Sequence, residues 1–321
     1  MAEELILEKW SGKISTVSLG ATKAEGGTRA HSIKIGGEEG LPFLFKEGAI
    51  PNKPQVAFEI WDAAPTDWPE ELNKVYGGCY ANPLAWAKIC VEVHKAQVLC
   101  VRLQGAHPDF GNKTPQQEAQ FIKELLEAVS VPLIIVGSGD DGKDNLVLPA
   151  CSEAAKKEKC LIGSAVQDNY KTLAAAVSAD GHNIIAESPI DINIAKQLNI
   201  LISDMGLPLD RIVINPTIGA LGYGLEYAYS IMERARLAAL SGDKTVASPF
   251  ICFVGQESWR AKEAKVSENE FPSWGAAAKR GLIWEILTAT ALIQAGGDLL
   301  VMRHPLAVEK INKYIEELFG R

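Results

Sequence analysis

The sequence has no Cys-x-x-Cys pair. Its cysteines are scattered along the chain, at Cys79, Cys90, Cys100, Cys151, Cys160 and Cys252. Iron–sulfur clusters and structural zinc sites usually take several thiolates at short spacing. We therefore expect buried free thiols in a reducing compartment, and no cysteine-bound metal cluster on this chain.

Long apolar runs and clusters of basic residues are missing as well. No stretch approaches the roughly 20 apolar residues that cross a bilayer, and residues 1–10 do not resemble a signal peptide. The net charge of -8 over 321 residues disfavours a nucleic-acid partner, because phosphate binding requires clustered Lys and Arg. These absences predict a cytoplasmic protein that binds neither membranes nor nucleic acids.

Residues 1–55 differ from the rest of the chain. They are rich in Gly and Thr and alternate in polarity around Ile14, Thr16, Ser18, Ile33 and Ile35. This pattern predicts an N-terminal extension with one or two short hairpins, followed by a main domain over residues 56–321.

From residue 56 onward, short apolar runs alternate with helix-length stretches. The predicted strands are Val56–Trp61, Val98–Leu103, Pro132–Ser138, Leu161–Val166, Asn183–Ser188, Ile212–Thr217, Phe250–Gly255 and Asp298–Arg303. The predicted helices are Pro83–Lys95, Pro115–Val129, Asp144–Lys157, Asp168–Ala179, Ile192–Met205, Leu225–Ala239, Ala276–Ala295 and Leu306–Phe319. Eight strand–helix pairs predict an eight-stranded parallel β/α (TIM) barrel, with an open doubly wound sheet as the alternative.

Helix starts can be predicted from capping residues. Thr114 and Asn82 each precede a proline, which is the pattern of an N-cap followed by a first-position Pro. Asp168 is predicted to cap the fourth helix, and Pro305 to begin the last one.

Ligand sites of such barrels lie at the carboxyl ends of the strands. The residues there are polar and rich in amides and hydroxyls, without a nucleophile paired to a base and without histidines at metal-ligand spacing. We therefore assign no catalytic residue and no metal ligand, and an aldolase is disfavoured because no predicted strand ends in Lys. The candidate ligand-binding residues are Ser138, Gly139, Asp140, Asn145, Gln167, Asp168, Asn169, Ser188, Asn215, Thr217, Tyr223, Gln256, Arg303 and His304.

Two segments resemble cofactor motifs only in part. Gly137–Gly142 matches G-x-G-x-x-G after a strand, but its two aspartates would repel a pyrophosphate, which favours a plain hydrogen-bonding loop. Asp180–Ile185 approaches the cobalt-ligating pattern D-x-H-x-x-G. Ile185 replaces the final glycine and the segment enters a strand at the wrong end of the barrel, which favours a structural role for His182.

Two loops at the strand ends are distinctive. Asn215–Gly224 combines three glycines with Tyr223 before a long helix, and glycines allow a ligand or partner to approach the backbone closely. Gln256–Lys265 mixes charges with Trp259, which either anchors an interface or packs locally. The same two alternatives hold for Trp274.

Two stretches carry a family resemblance. Asn215–Ala239, which contains Gly222-Tyr223-Gly224-Leu225-Glu226-Tyr227, and Pro249–Ala264, which contains Gln256-Glu257-Ser258-Trp259-Arg260, resemble the small subunit of corrinoid iron–sulfur proteins. The eight-strand layout resembles that family more loosely.

The resemblance implies a heterodimer of the anaerobic acetyl-CoA pathway. A large partner subunit would carry an iron–sulfur cluster and a cobalamin-binding domain, and this barrel would cap the cobalamin. The pair would take a methyl group from methyltetrahydrofolate, through a methyltransferase, and pass it to acetyl-CoA synthase.

The resemblance leaves an alternative open. Related barrels bind pterins through acidic and amide side chains at strand ends, and Asp140, Asp141, Asp168 and Asn215 are suitable residue types at such positions. In that case the chain would be a pterin-dependent corrinoid methyltransferase in its own right.

Overall fold

Eight parallel strands close into a barrel in this computed structural model, which describes residues 7–320. The strands run β3 to β10 in chain order around the barrel, and β10 closes it against β3. The strand bounds are β1 (Thr16–Leu19), β2 (Ile33–Gly36), β3 (Gln55–Trp61), β4 (Leu99–Arg102), β5 (Leu133–Val136), β6 (Leu161–Ala165), β7 (Asn183–Glu187), β8 (Ile212–Asn215), β9 (Phe250–Cys252) and β10 (Gly297–Met302). The predicted barrel is confirmed, and the open sheet was the wrong alternative.

Helices surround the strands. Their bounds are α1 (Glu70–Tyr76), α2 (Pro83–Glu92), α3 (Pro115–Ala128), α4 (Asp141–Ala154), α5 (Tyr170–Asp180), α6 (Ile192–Asp204), α7 (Leu225–Leu240), α8 (Val254–Arg260), α9 (Lys262–Lys265), α10 (Ala277–Gln294) and α11 (Pro305–Phe319). All eight predicted helices are present, whereas α1, α8 and α9 were not predicted. In the described part of the chain, no helix is both long enough and apolar enough to span a membrane.

Local capping explains most of the helix starts. Thr114 forms a capping box with Gln117, and Asn82 accepts a hydrogen bond from the amide of Ala85. Asp168 was wrongly predicted as a cap: the N-cap of α5 is Asn169. The Asn169 carboxamide instead accepts from the amide of Val166 and donates to the carbonyl of Ser164, which stabilises the loop before the helix.

The seventh barrel strand is shorter than predicted. It ends at Cys252, and the buried Val254 begins α8. Apolar residues continue through both elements, and such a run does not distinguish a buried strand from a buried helix. As a consequence, Gln256 and Glu257 lie on a helix rather than on a loop.

The amino-terminal end of the barrel is closed by a hairpin. Strands β1 and β2 pair antiparallel, and their apolar side chains at Val17, Leu19, Ile33 and Ile35 join the residues that fill the barrel interior. The Asn183 side chain at the start of β7 donates to the carbonyl of Ser18 at 2.8 Å. The predicted extension therefore contributes directly to the core.

Buried ion pairs reinforce this end. The Arg236 guanidinium contacts Asp298 at 2.5 Å and Glu38 at 2.9 Å, and all three residues are buried. Arg29 pairs with Glu158 at 2.8 Å and donates to the carbonyl of Val129. These contacts connect the N-terminal extension to the barrel and its helices.

Candidate functional site

The side chains that point into the barrel change from apolar to charged along the strands. On β3 the inward Ala57 is followed two residues later by Glu59, and on β4 Cys100 is followed by Arg102. On β10 the same spacing takes Val301 to Arg303, just beyond the strand end. Since side chains alternate between the two faces of a strand, the interior is apolar near the hairpin and charged near the carboxyl ends.

A cavity of about 200 Å³ opens at these carboxyl ends. Its wall combines carboxylates, amides, hydroxyls and glycines with a few apolar side chains. The lining residues are Arg102, Val136, Gly137, Gly139, Asp141, Asp144, Ser164, Val166, Glu187, Asn215, Thr217, Ile218, Phe253, Gln256 and Glu257.

Glu59 and two arginines form a buried network beside the cavity. Arg303 binds Glu59 through two nitrogens, at 2.8 and 3.0 Å, and Arg102 binds it at 2.9 Å. Burial alone would raise the pKa of Glu59, but the guanidinium groups of Arg303 and Arg102 lower it to about 2. Glu59 is therefore a permanent carboxylate that positions both cations.

The two arginines have different access to the cavity. Arg102 lines the cavity, donates to the Gln256 side-chain oxygen at 2.7 Å, and stacks over the ring of Phe253. Arg303 is 4% exposed and packs against the rings of Trp61 and Trp68. Arg102 is thus the cation that a ligand would meet first.

The glycine-rich loop after β5 wraps around Asp144. The carboxylate accepts hydrogen bonds from the amide and hydroxyl of Ser138, each at 2.8 Å, and from the amide of Gly139 at 2.9 Å. Asp140 caps α4 by accepting from the amide of Lys143. The loop amides that would hold a pyrophosphate therefore donate to the carboxylate of Asp144. This agrees with the interpretation of the segment as a hydrogen-bonding loop.

An acid–amide pair forms the opposite wall. Asn215 donates to Glu187 at 2.9 Å and accepts from the amide of Thr217 at 3.1 Å. The Thr217 hydroxyl donates to the carbonyl of Ser188 at 2.8 Å. The Ser188 hydroxyl is buried and has no hydrogen-bond partner within residues 7–320.

The cavity wall carries more acid than base. Asp141, Asp144, Glu187 and Glu257 line it against the single cation Arg102. Partial burial and the nearby charge of Asp144 raise the pKa of Asp141. Such a wall is suited to accepting hydrogen bonds from a ligand rich in N–H groups.

Four of the predicted ligand-binding residues meet in the cavity: Gly139, Asn215, Thr217 and Gln256. Ser138, Asp140 and Asn169 stabilise loops behind it, whereas Gln167, Asp168 and Tyr223 are exposed on the rim. Asn145 and Ser188 are packed outside the lining, Arg303 is bound to Glu59, and His304 caps α11 and stacks on Trp259.

Sequence reasoning missed Arg102, Asp144 and Ser164, all of which line the cavity. Arg102 and Ser164 lie within strands, and Asp144 lies within the first turn of a helix. The available signal was the period of two along each strand, which points Arg102 inward once Cys100 is recognised as an interior residue.

His182 is structural, as the sequence favoured. Its Nδ1 accepts from the amide of Cys160 at 3.0 Å, and its Nε2 lies 2.9 Å from the carbonyl oxygen of Ser152. Trp259 is a packing residue: it is 1% exposed and donates to Glu285 at 2.8 Å. Within residues 7–320, no group of three or more His, Cys, Asp and Glu side chains is arranged to hold a metal ion.

Comparison with known proteins identifies related sequences along nearly the whole chain. The model of the family described as "CO dehydrogenase/acetyl-CoA synthase delta subunit" matches residues 16–312. The acetyl-CoA decarbonylase/synthase complex subunit delta of Methanosarcina mazei is 36% identical over 319 residues, which is 98% of this chain and 72% of that protein. The subunit delta of Methanocaldococcus jannaschii is 36% identical over 308 residues, covering 96% and 74%.

Solved structures support the fold. Dihydropteroate synthase from Xanthomonas albilineans, with 4-aminobenzoic acid, superposes with a TM-score of 0.56 at 13% identity, over 85% of this chain and 96% of that one. The enzyme from Yersinia pestis gives a TM-score of 0.55 at 12% identity, over 84% and 95%. At this identity the likeness concerns the barrel alone.

Proposed function

Because the chain belongs to the CO dehydrogenase/acetyl-CoA synthase delta subunit family, the small-subunit family of corrinoid iron–sulfur proteins, we propose that its barrel mouth closes over cobalamin held by a larger partner subunit. The chain has a role in the acetyl-CoA decarbonylase/synthase complex, after which its relatives are named. In this proposal it is one half of a heterodimeric methyl carrier, and the iron–sulfur cluster resides on the partner.

The size and lining of the mouth carry the proposal. The cavity of about 200 Å³ is smaller than the roughly 300–1,000 Å³ of pockets that enclose a drug-sized ligand. A corrin macrocycle would therefore lie across the opening and not within it. Exposed polar side chains at Gln167, Asp168 and Tyr223 lie on the loops that follow β6 and β8, at the same end of the barrel.

The residue types on the mouth fit a corrin. Its periphery carries amide groups, which pair with amide, hydroxyl and carboxylate side chains. Gln167 and Tyr223 would contact it at the rim, and Asn215, Thr217 and Gln256 line the opening beneath. When bound, the cofactor would supply the methyl-carrying chemistry.

The residues of this chain would position the cofactor and exclude water. Glu59 accepts a hydrogen bond from Arg102, and Arg102 in turn donates to Gln256. The hydrogen bond from Asn215 to Glu187 fixes the opposite wall. Such a preorganised polar surface keeps its shape while a partner docks and leaves. The methyl group would arrive through a methyltransferase that uses methyltetrahydrofolate and leave to acetyl-CoA synthase.

The test is anaerobic co-purification of the tagged chain from a native source, with the ultraviolet–visible spectrum of the bound fraction. The proposal predicts a stoichiometric larger subunit with corrinoid and iron–sulfur absorbance. A Gln167→Ala, Tyr223→Ala double variant should recover less of both, whereas Lys34→Ala, exposed on the hairpin at the opposite end, should match the wild type. A colourless lone chain would contradict the proposal.

The wall of the cavity also supports a second function, pterin-dependent methyl transfer by this chain itself. A pterin ring presents N–H donors along one edge, and Asp141, Glu187 and Asn215 offer acceptors within one small cavity. This function predicts that the isolated chain binds methyltetrahydrofolate in calorimetry, and that Asn215→Ala abolishes binding while Lys34→Ala does not. A wild-type chain with no heat of binding would exclude it.

A further inference from the structure

A cluster of aromatic rings and cations lies beside the mouth, on the segment that follows β9. The rings of Phe271 and Trp274 stack with centroids 4.3 Å apart. The Lys262 ammonium lies 4.4 Å from the Phe271 centroid, and the Arg280 guanidinium lies 5.8 Å from that of Trp274. Two cations are thus held around one pair of rings.

Arg280 is buried without a counter-ion. The residue is 5% exposed, and its Nε and Nη1 atoms have no hydrogen-bond partner within the described part of the chain. Besides its contact with the Trp274 ring, it forms a 2.6 Å hydrogen bond from Nη2 to the carbonyl of Val266. A buried charge without an opposite charge costs several kcal/mol by general estimates, so a guanidinium in this state is suited to receiving an anion.

Three carboxylates on the neighbouring segments are engaged with other groups. Glu263 accepts from the Tyr223 hydroxyl at 2.9 Å, Glu268 accepts from the amide of Ala277 at 2.7 Å, and Glu257 pairs with Arg260. Neither Lys262 nor Arg280 forms an ion pair with any residue between 7 and 320. Among the described residues, neither cation of the cluster is therefore neutralised by an ion pair.

The backbone adds to the positive potential. Helix α10 begins at Ala277, and Arg280 lies in its first turn. The amino end of a helix carries a partial positive charge that favours anions. The side chain of its N-cap residue, Ala276, cannot cap the helix, and the Glu268 carboxylate accepts from the amide of Ala277 in its place.

The cluster adjoins the cavity. Gln256 and Glu257 of α8 line the cavity, and α9 with Lys262 follows directly along the chain. The Tyr223 hydroxyl accepts from the amide of Lys262 at 3.0 Å, which ties the cluster to the loop after β8. The cluster therefore lies on the same end of the barrel as the cavity over which a ligand would sit.

We propose that Lys262 and Arg280, with the Phe271–Trp274 pair, form an oxyanion subsite for the phosphate or carboxylate group of a small-molecule ligand at the mouth. Val266 and Trp274 contact the Arg280 guanidinium, so these contacts have to rearrange for an anion to reach it. This proposal does not depend on either proposed function, because the subsite consists of residues of this chain and can be tested without a partner subunit.

Calorimetry on the full chain tests the subsite, with inorganic phosphate, dimethyl phosphate and glutarate as probes. We expect at least one probe to bind, and its identity distinguishes a phosphate from a carboxylate ligand. Arg280→Gln should weaken binding about tenfold or more, since it removes a charge-assisted contact. Lys262→Gln should weaken it less, and Arg260→Gln, an exposed arginine on the same segment, should bind as the wild type does.

Amide hydrogen exchange gives a second readout. Binding of the probe should slow exchange across residues 266–276 in the wild type and leave it unchanged in Arg280→Gln. Arg280→Lys keeps the charge and should retain part of the affinity, which separates loss of the site from loss of the fold. The proposal is overturned if no probe binds, or if Arg280→Gln binds as tightly as the wild type.

Discussion

The two ends of the barrel differ in how completely their buried charges are paired. At the amino-terminal end, Arg236 lies between Glu38 and Asp298, and Arg29 lies against Glu158. At the carboxyl end, Glu59 is also paired, with Arg303 and Arg102, but Arg280 has no carboxylate partner within the described residues, and Glu118 has the Lys113 ammonium 3.8 Å away without a hydrogen bond. Glu118 is nevertheless completely buried.

This difference suggests that residues at one end determine stability and residues at the other end determine binding. Paired charges and a packed hairpin contribute to the free energy of unfolding, whereas the proposed anion subsite at Arg280 would contribute to binding. In barrels of this type, sites lie at the carboxyl ends of the strands. Substitutions at the two ends should therefore affect different measurements.

The largest effect on stability is expected from Arg236→Met. It removes the cation between two buried carboxylates, and breaking a buried pair costs about 3–5 kcal/mol. Urea denaturation followed by circular dichroism measures the loss. Arg260→Met, which breaks only the exposed pair with Glu257, should cost less than about 1 kcal/mol. Equal unfolding midpoints for Arg236→Met and the wild type would contradict the comparison.

The second-largest effect on stability is expected in the hairpin. Ile35 is fully buried in the barrel interior, and Ile35→Ala should cost about 3 kcal/mol through lost burial and the cavity left behind. Ile283→Ala, at an exposed position on α10, is the matched control and should cost much less. Ligand binding at the mouth should be unchanged in both variants, and a loss of binding in Ile35→Ala would connect the two ends.

The sequence predicted the barrel because its strongest signals were local. Apolar runs of strand length, Pro and capping residues such as Thr114, and alternation in the extension all depend on near neighbours. The closure of the amino-terminal end by the hairpin depends on contacts between β1 and strands far along the chain, and local patterns do not contain that information.

The site was predicted less completely, for a physical reason. Residues after strand ends were considered, but the last inward residues of the strands, Glu59 and Arg102, were not. Conversely, Arg303 and His304 are at the right end of the barrel and yet engaged in packing and capping contacts. Which polar side chain faces a cavity and which is paired depends on tertiary contacts.

A pH effect of intermediate size is expected at Glu118. Burial and the negative charge of Asp62 raise its pKa to about 8, despite the ammonium of Lys113 at 3.8 Å and the more distant Lys143. Since the folded-state pKa lies above the unfolded value near 4.5, the neutral form is favoured in the fold, and stability is lost as pH rises from about 4.5 to 8.

Glu118→Gln tests this expectation, because the amide is neutral at every pH. The difference in unfolding free energy between the wild type and the variant should change across this pH window in favour of the variant. Urea denaturation at about pH 5, 6, 7 and 8 measures this difference across the titration. Parallel pH profiles for the two proteins would show that Glu118 does not titrate there.

The smallest effect on stability is expected at the rim, from Tyr223→Phe. The hydroxyl donates to Glu263 and accepts from the amide of Lys262, but the side chain is 49% exposed, so water replaces both contacts at a cost of about 0.5 kcal/mol. The variant should therefore unfold at nearly the wild-type urea concentration. Its effect should instead appear in binding, because the hydroxyl positions Lys262 beside Phe271. A lower phosphate affinity in calorimetry with unchanged stability would show that binding at the carboxyl end can be altered without loss of stability. A loss of several kcal/mol in unfolding free energy with unchanged affinity would show instead that the rim is a structural element like the hairpin.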